Sequence, residues 1–154
     1  MGCDIHIIAE YRHTTDPWLI NIEPAFENLD YQNMRCHPNE VWYTENESRF
    51  LARPDRVRNY TRFYILAGVR DGEYKPISDP KGLPEDVSVK TAGCVVEDYF
   101  GDHSFSWLTL GEMEVYCEEN PDAAPHIQDI VDGMRTIKSN EYCTEVRIVF
   151  GFDN

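Results

Sequence analysis

Both ends of the chain alternate in polarity with a period of two, and this constrains the fold more than any other feature. In an extended segment from residue 4 to 11, Ile5, Ile7 and Ala9 take one side while Asp4, His6, Ile8 and Glu10 take the other. Over 144–152, Val146, Ile148, Phe150 and Phe152 alternate with Glu145, Arg147, Val149 and Gly151. Few of the uninterrupted apolar runs of a buried parallel sheet are present. The prediction is an α+β fold: a mainly antiparallel sheet that includes both terminal strands, packed on two or three helices. The 154 residues predict one globular domain spanning 1–154.

The helices are signalled locally. Asn59 is placed to cap a short helix whose buried stripe is Tyr60, Phe63, Tyr64 and Ala67, with Arg58, Arg62 and Arg70 flanking it. Thr109 and Glu112 form a capping-box pattern, so a helix starts near Leu110 with Leu110, Met113 and Cys117 inward. The clearest helix is 125–138, where Ile127, Ile130, Val131, Met134 and Ile137 repeat on one face. Residues 76–93, punctuated by Pro76, Pro80, Gly82, Pro84 and Gly93, read as a loop. Residues 13–48 are weakly patterned, with a short strand at Val41 to Thr44; so long a stretch is often functional and suits a lid or a partner surface.

Composition narrows the partners. A net charge of −14 opposes non-specific binding to nucleic-acid backbones. The positive charge is concentrated: Arg49, Arg53, Arg56, Arg58, Arg62 and Arg70 are six of the 14 basic residues. Guanidinium forks suit phosphate or carboxylate, so a small anionic ligand fits better than a long polyanion; the same arginines are also accounted for by pairing with surface carboxylates. The longest apolar runs are only a few residues, which predicts no membrane span. Gly2 lacks the Ser or Thr at position six of a myristoylation signal, and no export signal is evident. Five scattered cysteines without a Cys-x-x-Cys pair predict a reducing cytoplasm and buried thiols, Cys3 beside Asp4 being the exception to watch.

Two His-bearing blocks carry the chemistry. Asp4 and His6 lie on the first strand. Asp102 and His103 lie in a polar cluster with Ser104 and Ser106, read as a loop before a helix N-terminus, where free N–H groups favour anions. If the blocks converge, Asp4, His6, Asp102 and His103 make a mixed set suited to Zn, Mn or Fe, which would activate water at a phosphoryl group. Without a metal, His6 and His103 would serve as general base and acid on a phosphodiester, with Asp4 beside them. A pairing of Cys3 with a histidine is a further nucleophilic option. A binder would use the same residues without turnover: Arg58, Arg62 and Arg70 on phosphates, Ser104 and Ser106 at the helix N-terminus, and Tyr60, Phe105 or Trp107 stacked on a base. Taken alone, Trp107 is better read as a core aromatic than as a base stack. A third reading is an acidic protein-interaction module built on the 13–48 segment. A homo-oligomer is left open.

The opening Met-Gly-Cys-Asp-Ile-His, the block from Arg58 to Arg70, the Gly82-Leu83-Pro84 loop with Asp86 and Ser88, the block from Asp102 to Leu110, and the ending Arg147 to Asn154 together resemble a group of small bacteriophage and bacterial proteins. The resemblance implies a phage accessory protein of the host-cell cytoplasm that acts on host defence, including by binding or cleaving (cyclic) nucleotide messengers.

Overall fold

The computed structural model describes residues 2–29, 31, 48–55, 57–97 and 100–154. Its centre is a four-stranded antiparallel sheet of β1 (Asp4–Arg12), β2 (Leu19–Ile20), β5 (His103–Thr109) and β6 (Glu145–Asp153), in the order β2-β1-β6-β5. The predicted terminal strands are therefore neighbours, with Asp4 opposite Asp153 and Arg12 opposite Glu145. A small ribbon of β3 (Phe26–Glu27) and β4 (Phe50–Leu51) lies apart from the sheet. Four α-helices occur among the described residues: α1 (Tyr60–Ala67), α2 (Val89–Glu97), α3 (Leu110–Glu119) and α4 (Gln128–Lys138), the last preceded by a 3-10 turn at Ala124–His126. No helix among the described residues is long and apolar enough to cross a membrane.

The pleat sorts the two sheet faces as the alternation requires. Ile5, Ile7, Ala9, Val146, Ile148, Phe150 and Phe152 form the main core with Phe63 and Leu66 of α1, Met113 of α3, and Ile130 and Met134 of α4. Three helices thus cover one face. The fourth, α2, begins inside the segment read as a loop up to residue 93 and runs on to Glu97; the glycines and prolines of that segment hid a helix on the other face. There Ile8, Val149 and Phe100 form a second, smaller core against Leu83, Cys94, Val95, Phe105 and Trp107. This roof explains why β6 is buried on both faces.

The caps work as the sequence indicates. Asn59 accepts the Arg62 N–H, and Thr109 and Glu112 make both bonds of a capping box. Three stripe assignments need correcting. Tyr60 is exposed and Tyr64 half-buried while Arg62 is buried, and Cys117 yields its inward place to Tyr116, whose hydroxyl donates to the Lys75 carbonyl at 2.6 Å. The strand expected at Val41 to Thr44, with Cys36 and residues 30 and 32–47 of the 13–48 segment, lies outside the described residues.

The roof is fastened by a buried ionic network. Arg147 donates from Nε to Glu10 at 2.8 Å and from Nη1 to Asp86 at 2.8 Å. The other Glu10 oxygen accepts the Ser88 N–H and the Thr91 hydroxyl. Trp18 donates its indole N–H to Asp86 and stacks its ring 3.9 Å from the Arg147 guanidinium. The hydrogen bond from Arg147 holds the Asp86 carboxyl below its ordinary value of 3.8; partial burial opposes this and the Trp18 bond reinforces it. A lowered pKa means stability that is complete above that ordinary value and is lost as pH falls through the lowered one. Asp86 is more than half exposed, so screening keeps the effect below about 1 kcal/mol. Asp86→Asn should therefore flatten the acid limb of the stability curve, read as denaturant midpoints at neutral pH and below pH 3.8; an unchanged acid limb would assign it elsewhere.

Candidate functional site

Some of the sequence-derived candidates, Asp4, His6 and Arg58, lie at one end of the sheet, where β1 begins and β6 ends. Here His6 faces the roof side, opposite Gly151. Its Nε2 donates to Asp153 Oδ2 at 2.6 Å, with only 15% and 19% of the two side chains exposed. The Phe100 ring lies 6.3 Å from the imidazole. Asp4 is two residues back on the same face, and Asp153 stands opposite it in the register.

Arg58, just before α1, reaches Asp4 through Nε at 2.9 Å and Nη2 at 2.7 Å. The hydrogen bond and charge of Asp4 raise the guanidinium pKa, with Tyr60 and Asp153 adding smaller contributions, so the pair and the His6–Asp153 couple belong to one patch. Tyr60 accepts the Cys3 N–H on its hydroxyl at 3.4 Å and carries Arg70 over its ring at 5.1 Å. Arg70 has φ 67°, a left-handed conformation uncommon for a side chain of this size. Asp4 thus meets Arg58, and Asp153, opposite Asp4 in the register, meets His6; Tyr60 acts on Arg58 from the α1 side and carries Arg70.

The other candidates are placed elsewhere. His103 pairs with Phe152, which also pairs with Ile5, so His103 lies on the main-core face and stacks on the Phe152 ring at 6.1 Å. His6 lies on the opposite face, and β6 runs between the strands that carry them. The expected convergence of His6 with His103 as base and acid, and of Asp4 and His6 with Asp102 and His103 around a metal, is corrected by this pleat. Among the described residues no three His, Cys, Asp or Glu side chains gather as a metal set.

The expected helix N-terminus at Ser104 and Ser106 is corrected as well: both lie in β5, with a bulge between His103 and Ser106. Ser104 approaches His103 Nδ1 at 2.9 Å, and the buried Ser106 hydroxyl accepts the Lys81 N–H. The true N-terminus of α3 is occupied by its own Thr109 and Glu112. Trp107 packs into the second core beneath Lys81 Nζ, 4.0 Å from its ring, and is a core aromatic. Arg62 is no surface fork: it is sealed against Asp129 at 2.7 Å and the His126 carbonyl at 3.2 Å, tying α1 to α4. Cys3 has no exposed surface in the main core, closed to substrate. Arg56 lies outside the described residues.

The reading of the residues missed Asp153 and Phe100. Asp153 follows the 145–151 alternation by one more step, so the signal was there once the terminal strands are known to pair. Comparisons with protein-family models, with curated proteins and with solved structures returned no match.

Proposed function

We propose that the rim where β1 begins and β6 ends takes a small phosphate-bearing ligand, and that His6 is its acid–base group. The observation that supports this most is the 2.6 Å bond from His6 to Asp153 in the same patch as Arg58. A carboxylate fixes the tautomer and orientation of an imidazole and stabilises its protonated form. In a hydrolytic step, Nδ1, the ring nitrogen turned from Asp153, takes the proton of an attacking water. The water oxygen bonds to phosphorus, the scissile P–O bond breaks, and the leaving oxygen receives the proton. Arg58 offsets the phosphoryl charge. The resemblance to phage proteins supports a cyclic nucleotide messenger as substrate and the cytoplasm of an infected host as the setting.

The placement of His103 on the other sheet face favours a second reading, sequestration without cleavage, because it takes the expected second imidazole of an acid–base pair away from this rim. Incubation with cyclic dinucleotides followed by chromatography separates the two. Cleavage should fall about 10²–10⁴-fold in His6→Ala, and Asp153→Asn should lower it with little change in retention. Intact nucleotide released only on denaturation would replace catalysis by sequestration. Neither cleavage nor retention would overturn the site.

A further inference from the structure

Building on that reading of the rim, we infer that Asp4 is a built-in competitor for the anion that Arg58 receives, so that the resting protein keeps its own carboxylate in the ligand's place. Three features of the pair carry this. First, both Arg58 contacts, from Nε and Nη2, go to the single oxygen Oδ1 of Asp4. A guanidinium fork is best matched by two acceptor oxygens side by side; a phosphate offers them, and Asp4 in this position supplies one. Second, both side chains are about half exposed, 51% for Arg58 and 48% for Asp4. Exposed ion pairs contribute little and exchange readily with water and ions, so this one is displaceable, unlike the sealed Arg62–Asp129 pair.

Third, the guanidinium is seated on the backbone of Gly2. A Cβ built there runs into Cζ, Nη1 and Nη2 of Arg58 at distances real side chains do not reach. A glycine at this position lets the charged plane lie against the chain at the rim, where a side chain would push it away. Asp153, opposite Asp4 in the register and felt by Arg58, keeps the field around the guanidinium negative when Asp4 is displaced. Asp4 then sets a threshold on occupancy.

This assigns Asp4 the opposite sign from a metal ligand or a catalytic acid: its removal strengthens binding. The test is calorimetric titration of the wild type, Asp4→Asn, Asp4→Glu, Arg58→Gln and the Asp4→Asn/Arg58→Gln double variant with inorganic phosphate and with adenosine monophosphate. Asp4→Asn should bind both probes about two- to fivefold tighter, the release of an exposed pair. Asp4→Glu should stay near wild type, and Arg58→Gln should remove binding in either background. Weaker or unchanged binding by Asp4→Asn would overturn the competitor role while leaving the rim as the site. No binding of either probe by wild type and Asp4→Asn alike would overturn the rim itself.

Discussion

Arg147→Met should cost the fold about 3–5 kcal/mol, read as a lowered urea midpoint with little change in slope. Arg147 and Glu10 have 3% and 0% of their side chains exposed and meet at 2.8 Å. Methionine fills much of the volume but leaves Glu10 as a charge in an apolar layer, with only the Ser88 N–H and the Thr91 hydroxyl to satisfy it. The stacking of the guanidinium on Trp18 is lost as well. The double variant Glu10→Gln/Arg147→Met should recover part of the loss, because removing both charges is far cheaper than stranding one. A loss under about 1 kcal/mol would mean that water reaches Glu10 and the network is not a closed one. Hydrogen exchange should locate the damage first in residues 81–97, since the same carboxylate pins Ser88 and Thr91 beneath the roof.

Gly101→Ala should be nearly as severe, for a backbone reason. Gly101 has φ +99°, and a Cβ there lies 2.8–3.0 Å from the O, N and C atoms of Phe152. Main-chain atoms of a central strand cannot swing aside as a side chain can. Backbone strain of about 1–3 kcal/mol adds to overpacking of about 1–3 kcal/mol. Gly82→Ala is the control: its φ is +82° but nothing lies within 4 Å of the new Cβ, so only the left-handed penalty of about 1–2 kcal/mol applies. Equal midpoints for the two variants in chemical denaturation would show that the approach to Phe152 is looser than the geometry requires. The Gly101 contact matters to the site because it sets Phe100 beside His6 and starts β5 on the far side of β6.

The fold was legible where a pattern is local. Alternation at both ends gave the two long strands within a residue, and Thr109 with Glu112 placed the start of α3. What sequence concealed was long-range. Ser88, Thr91 and Asp86 look like ordinary polar loop residues until Glu10 and Arg147, 78 and 61 positions away from Ser88 and Asp86, bond to them. The helix α2 was hidden because its Gly93 reads as a breaker and its first turns follow directly on a stretch punctuated by prolines. The site was half visible. Asp4 and His6 share a face because a strand alternates, and Arg58, Tyr60 and Arg70 are close in sequence. The error over His103 is one of phase: proximity along the sheet does not fix which side a strand residue faces, and the partner Phe152 decides it. Arg62 was misassigned because a helix can bury a guanidinium against a distant carboxylate, which no stripe analysis of its own helix reveals.

The placement of β6 between β1 and β5 has a consequence for the order of folding. Strand β1 finds its main neighbour across more than a hundred intervening residues, so the junction of His6 and Asp153 is made by one of the most distant contacts of the sheet and carries a larger loop-closure cost than the β5–β6 pairing.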